Sequence, residues 1–292
     1  MKTLTPIAAA LLLALSGGAF AAGNTANLSQ TGDGHDATVD QTGPLTQDNL
    51  VDQDQSGFFN DAHATQSATQ NSAIFQTQSD AFNDAYALQY GGSLNTSDTT
   101  QSGYFNDAKS LQVWQQGSVV IINQTDIGND AYVLQAFGSG NSADIDQSGW
   151  FNDAKVLQIV AADNSATINQ AGGFNDAKVS QVFSFGSTAL IDQDGFGNDA
   201  RAKQSGFDHD SVIIQDGWKN DALTDQSGVG HMANIMQDGS RNYAGIVQSG
   251  FNHVAGVTQI GAKNSAYVNQ SGLNEMAVVS QIGDGNNAVV MQ

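Results

Sequence analysis

Polar and apolar positions along this chain recur every 11 or 12 residues. Taking Asn60 as an anchor, the same kind of residue returns at 71, 83, 95, 106, 118, 129, 141, 152, 164, 175, 187, 198, 209, 220, 231, 242, 253, 264, 275 and 286. Three earlier anchors fall at 24, 35 and 49, which makes 24 units. The anchor is Asn in 17 of the 24, and His35, His209, His231, His253, Ser118, Ser187 and Glu275 fill the others. Two residues on, 20 of 24 units carry Ala; four on, Val and Ile dominate; six on, 23 of 24 carry Gln, with Thr77 as the exception. Gly follows at eight.

Anchor, Ala, Val/Ile and Gln share one face only if the chain is extended, because strand side chains alternate with period two. The Gly beyond them marks a tight turn that needs positive φ. Each unit therefore reads as one strand and one turn, and two units as one rung. The predicted fold is all-β: a β-solenoid of about 12 strand-turn-strand rungs over residues 23–292, forming two stacked parallel sheets with a cross-β core. Its height would be about 55–60 Å at roughly 4.8 Å per rung. Pro44 falls in the one irregular interval, between His35 and Asn49, where it interrupts no strand.

Stacked rungs place identical side chains in columns. An amide carries two donors and an acceptor, so each Asn or Gln is expected to donate to its counterpart in the next rung. The candidate amide-ladder core is Asn60, Gln66, Asn83, Gln89, Asn106, Gln112, Asn129, Gln135, Asn152, Gln158, Asn175, Gln181, Asn198, Gln204, Asn220 and Gln226. Small Ala beside them suits the narrow space between two sheets.

Outward positions form columns as well. Asp61, Asp84, Asp107, Asp130, Asp153, Asp176, Asp199 and Asp221 make a repelling acidic column on one outer face. Lys109, Lys155, Lys178 and Arg201, each two residues after an Asp, predict opposite-charge columns on that face. Leu88, Leu111, Leu134 and Leu157 form an apolar stripe expected to be partly buried under its neighbours. Phe59, Phe82, Phe105, Phe151 and Phe174 precede anchors and predict an aromatic ladder at a turn. His209, His231 and His253 fall in one column, followed by Glu275. They read as replacements for Asn, and as a pH-sensitive column that would weaken the C-terminal rungs near pH 5–6. One His per rung leaves no converging metal ligand set.

Composition narrows the function. The 292 residues carry a formal net charge of −20 with 32 Gly, 2 Pro and no Cys. The acidic balance argues against nucleic-acid binding. Residues 1–22 read as a secretory signal peptide: Lys2, an apolar run from Ile7 to Leu15, and Ala19-Phe20-Ala21 at the cleavage site. No catalytic set stands out from the repeat composition, and no cofactor is implied. The repeats run from Asn24 to the terminal Gln292, so both ends of the stack are expected to be bare strand edges, which template further chains.

QSGFFNDAHATQ (55–66), QSGYFNDAKSLQ (101–112), QSGWFNDAKVLQ (147–158) and QAGGFNDAKVSQ (170–181) follow Q-x-G-x-x-N-x-A-x-x-x-Q. This pattern resembles the curlin repeat of curli fibre subunits, the extracellular functional amyloids of bacterial biofilm. The chain looks like a long variant similar to the major subunit. The resemblance implies a secreted, self-assembling extracellular fibre at the bacterial surface, with roles in biofilm matrix, adhesion and colonisation, and it implies that the Asp column from Asp61 to Asp221 serves as gatekeepers that slow aggregation. It also implies partners: the chain itself in head-to-tail contact, a nucleator subunit, an outer-membrane curli secretion channel and a periplasmic chaperone. The alternatives are a minor nucleating subunit, or a β-solenoid adhesin that does not polymerise.

Overall fold

A computed structural model describes residues 23–292. The predicted signal peptide lies outside the described residues. Twenty-four strands follow one another, from β1 (Thr25–Asp33) and β2 (Asp36–Asp40) to β23 (Met276–Ile282) and β24 (Asn287–Met291). Odd-numbered strands form one 12-stranded sheet and even-numbered strands another, each in sequence order. Every strand pair is parallel, and an odd strand with the next even one makes a rung. The all-β two-sheet solenoid expected from the period is the observed architecture.

The period works because each strand places apolar and amide residues alternately inward. In β13 (Ser165–Gly173), Ala166, Ile168 and Gln170 face in and are buried, whereas the residues between them face out. Ala and Val/Ile from the two sheets meet across a thin core. One continuous cluster runs from Ala108 to Val279, and a smaller one holds Val51, Ala64, Ile74 and Ala87. Each buried Val or Ile contributes about 1.5–3 kcal/mol relative to exposure. Within the smaller cluster and in the rung beyond it the core turns polar. Gln53 and Gln76 take Val/Ile positions, with Gln53 Nε2 donating 2.7 Å to Gln76 Oε1. One rung on, Ser97 donates 2.9 Å across to Ser110. A second cross-sheet hydroxyl pair, Ser211 and Thr224, lies at 2.6 Å. These pairings satisfy the hydroxyls of Ser97, Ser110, Ser211 and Thr224 at Ala and Val/Ile positions, whereas Gln53 Oε1 is buried with no partner among the described residues.

Turns carry the conformations that strands cannot. Gly149 has φ +95°, and a Cβ there would be driven into the carbonyl of Gly172 in the next rung. That close approach explains Gly at this turn. Phe59, Phe82, Phe105, Phe151 and Phe174 all have φ between 55° and 60° despite their bulk, a costly conformation held by the rungs on either side.

One register differs from the sequence reading. Leu50 pairs with Ala73 and Gln55 with Gln78, so the anchor stacked on Asn49 is Ser72 and not Asn71. Asn71 instead occupies the turn at φ +50°, which Asn tolerates better than most residues. Thr77 is therefore outward, Gln78 is the motif amide, and Gln stands at this position in every unit. The 12-residue interval follows Asn60, after which 12 and 11 alternate strictly until Asn198. The shift from 23- to 22-residue rungs is absorbed by an irregularity between Gln181 and Ser184, where β14 (Asp176–Phe185) meets β16 (Asp199–Phe207).

Candidate functional site

The site is distributed along the stack. Gln side chains of the even strands form an unbroken amide chain: Gln66 Nε2 donates to Gln89 Oε1 at 2.8 Å, Gln89 to Gln112 at 2.9 Å, and Gln112 to Gln135 at 2.9 Å. It continues through Gln158, Gln181, Gln204 and Gln226 at 2.8–3.1 Å. The odd strands hold a matching chain that includes Gln101, Gln124 and Gln147. The sequence reading named only the even one. Each Nε2 also reaches backbone carbonyls at the neighbouring turn: Gln135 donates to Val119 O at 3.0 Å and to Asn141 O at 3.3 Å.

From Asn60 to Asn220 the Asn column is built differently from the expected amide-to-amide ladder, which forms only at its C-terminal end, where Nδ2 of Asn264 donates to Asn242 Oδ1 at 3.2 Å and Nδ2 of Asn286 to Asn264 Oδ1 at 3.0 Å. Asn60 Oδ1 accepts the backbone N–H of Asn83 at 3.0 Å, and Asn83 Oδ1 that of Asn106 at 3.1 Å. The same link joins Asn129, Asn152, Asn175, Asn198 and Asn220. Their Nδ2 groups donate to turn carbonyls, as Asn129 does to Thr125 O at 2.6 Å and Gly149 O at 3.2 Å. Asn is short, so its amide sits beside the backbone turn and satisfies it. Gln, one methylene longer, reaches into the space between rungs.

His209, His231 and His253 are buried and reproduce the Asn pattern. Each Nε2 lies 3.0 Å from a turn carbonyl, of Ser205, Ser227 and Ser249 respectively. Nδ1 of His209 accepts the backbone N–H of His231 at 3.4 Å, and Nδ1 of His231 that of His253 at 3.2 Å. This makes the proton-bearing nitrogen Nε2. The rings stack at 5.0 Å with interplanar angles of 9° and 7°. Burial pushes the pKa of His209 and His231 below the ordinary value; carbonyl contacts oppose this in both, and the other two rings add to the lowering at His231. Glu275 ends the column, its carboxylate 3.6 Å from His253 Nδ1. Among the described residues no group of three His, Cys, Asp or Glu is placed to hold a metal ion.

The Asp column is in register, Asp61 against Asp84, Asp107, Asp130, Asp153, Asp176, Asp199 and Asp221. Burial raises the carboxyl pKa of Asp61, Asp84, Asp107, Asp130, Asp153, Asp199 and Asp221. Asp130 is pushed up to about 6, by burial first and then by Asp107 and Asp153 above and below it. The predicted opposite-charge columns are mostly absent. Only Arg201 of the four cations pairs with its Asp, Asp199, at 2.9 Å. Lys109 lies 5.2 Å from the centre of the Tyr86 ring and Lys155 4.8 Å from that of Tyr132. An aromatic ring one rung away is the partner these ammonium groups take in place of the Asp two residues back. Leu88, Leu111, Leu134 and Leu157 stack in register and are half-buried.

The Phe column stacks where it is continuous: Phe59 on Phe82 at 5.3 Å, Phe82 on Phe105 at 5.0 Å, and Phe151 on Phe174 at 5.4 Å. It is broken at Gly128, over which the Phe151 ring lies.

The ends complete the geometry. Among the described residues β1 and β2 each pair with one strand, as do β23 and β24. Every Gln in the chain passes its hydrogen bond toward the C-terminal rung. At one end Gln30 and Gln41 donate inward, to Gln55 and Gln66, and no described residue donates to their Oε1 atoms. At the other, Gln281 and Gln292 accept from Gln259 and Gln270, and their Nε2 groups reach no further amide.

A family model described as the curlin associated repeat matches this chain at residues 186–217, 232–261 and 239–272. The chain thus carries curlin-associated repeats across rungs 8 to 11, in register with all the others. Comparison with curated proteins returned no match.

Proposed function

We propose that this carrier of curlin-associated repeats is the structural subunit of an extracellular curli-type amyloid fibre, growing by head-to-tail stacking of solenoids. The observation that carries the reading is the polarity of the Gln columns. Among the described residues, one end presents Gln30 and Gln41 Oε1 with no donor, and the other presents at Gln281 and Gln292 one Nε2–H beyond that given to Ser265 O and Met276 O. A second copy placed end to end extends both amide chains without reversal. The strand edges gain ladder partners at the same time, and open edges of this kind are templates for further strands. Such contact is heterologous and does not close, so it yields filaments.

In this reading the buried Asn and Gln columns are the ladder that fixes register. The Asp column, from Asp61 to Asp221, acts as gatekeeper, since neighbouring sheets would have to bury its carboxylates. The chain is exported by the predicted signal peptide and deposited outside the cell as biofilm matrix and adhesive surface. A nucleator subunit, an outer-membrane channel and a periplasmic chaperone serve as its partners.

The test is assembly of the purified protein lacking residues 1–22. The expected outcome is fibres with a reflection near 4.7–4.8 Å, whose lag is removed by preformed seeds. A folded β-protein that stays monomeric at high concentration and ignores seeds overturns the reading.

A further inference from the structure

The turn joining each odd strand to the next even strand carries two adjacent columns. The Phe column described above is internally stacked. Beside it runs a second one, bridged in register from Phe58 through Ala81, Tyr104, Ile127 and Trp150 to Gly173. Its large rings occur on every second rung, with a smaller residue between. Phe58, Tyr104 and Trp150 are 54%, 50% and 58% exposed. Unlike the Phe column, none of the three has an aromatic partner in the described residues. Stacking within the fold thus explains Phe59, Phe82 and Phe105 but not these three.

We propose that this edge binds an extended, uncharged, β-linked polysaccharide lying parallel to the stack axis. Two rungs span roughly 10 Å. In an extended β-1,4-linked glycan of six-membered sugars, successive rings flip, so the same face recurs at every second sugar, a distance of that size. Three rings at two-rung intervals would therefore meet three equivalent sugar faces, with C–H groups packed on the aromatic surface. Tyr and Trp also offer a polar atom at the ring edge. Rows of acceptors flank the platforms in the same rungs: Asp61, Asp107 and Asp153 on the even side, Ser56, Ser102 and Ser148 on the odd side. Sugar hydroxyls can donate to both rows. Charge selects the class of glycan. The turn itself carries no Lys or Arg before Lys219, Lys109 and Lys155 lying beyond the Asp row beside Tyr86 and Tyr132, and the Asp row repels a polyanion. The inference needs the solenoid but not polymerisation, so its failure is read separately from that of seeded growth.

The test uses a Trp114→Phe/Trp218→Phe background, in which fluorescence reports Trp150 alone. The folded protein is titrated with cellohexaose, chitohexaose and, as an α-linked control, maltohexaose. A saturable blue shift with at least one β-linked oligomer and none with maltohexaose is expected. Tyr104→Ala should weaken binding about tenfold, as loss of one aromatic contact implies. Tyr104→Ala combined with Ile127→Tyr keeps the number of rings but breaks the two-rung spacing, and should stay weakened. Circular dichroism confirms that each variant is folded. The proposal is overturned by absence of any shift with the β-linked oligomers, by equal response to maltohexaose, or by unchanged binding in Tyr104→Ala. It is equally overturned if Tyr104→Ala abolishes side-by-side bundling of fibres while leaving titrations unaltered, because the edge would then be a contact between copies of this chain.

Discussion

Gln135→Ala breaks the even amide chain at mid-stack. Wild-type Gln135 accepts from Gln112 at 2.9 Å and donates to Gln158 at 2.8 Å. Truncation leaves Gln158 Oε1 without its donor, whereas Gln112 Nε2 keeps Ser118 O at 3.1 Å. One buried unmatched acceptor costs about 1–3 kcal/mol, and the cavity left by a long side chain adds about 2 kcal/mol or more, together about 3–5 kcal/mol. In a solenoid the loss is local, because each rung contacts only its neighbours. Peptide-resolved hydrogen exchange on the folded protein should show protection in the rungs around Gln112, Gln135 and Gln158 falling roughly a hundredfold or more. Rungs beyond Asn198 should be unaffected. Gln135→Leu, which refills the cavity, should recover part of the loss and isolate the hydrogen-bond contribution. Outward, exposed Thr100→Ala should stay within about 0.5 kcal/mol of wild type. Wild-type exchange around Gln135 in the Ala variant, or a loss spread evenly over all rungs, would refute the ladder argument.

The acidic column and the His column pull stability in opposite directions with pH. The folded pKa of Asp130 is raised, so its stabilising protonation is complete below about 3.8 and lost as pH rises through about 6; Asp130→Asn should therefore raise the denaturation midpoint at pH 7 and make little difference at pH 4. The folded pKa values of His209 and His231 are lowered, so the stability they contribute is present above 6.5 and lost as pH falls through the depressed values. Protection factors in the rungs around His209 and His231, corrected for the slower intrinsic exchange at low pH, should fall between pH 7 and pH 5, and His209→Asn/His231→Asn should remove the change, since Asn makes the same two contacts. Gln281→Leu/Gln292→Leu should slow seed-templated elongation at the end bearing β23 and β24 while leaving soluble folding intact; equal elongation rates would count against amide continuity across the junction.

Much of this molecule is legible in its sequence because a solenoid converts spacing directly into contact. Period two within a unit marks the strand, the Gly marks the turn, and the 22- or 23-residue repeat decides which side chains stack, so the Gln columns, the Asp row, the Leu stripe and the Phe ladder can all be listed from the chain alone. The error at Asn71 shows the limit of that logic. Asn71 and Ser72 are both polar and adjacent, each fits a plausible interval, and only pairing with Asn49 and Asn95 selects Ser72. Tertiary structure also decided how each column is bonded. Whether an amide reaches the next amide or the turn backbone depends on side-chain length against the distance to both, which separates Gln from Asn and lets a stacked His stand in for Asn. The same holds for Lys109 and Lys155, whose partners are rings one rung away, because the spacing of a repeat states which residues are neighbours but not which of several neighbours a flexible side chain will choose.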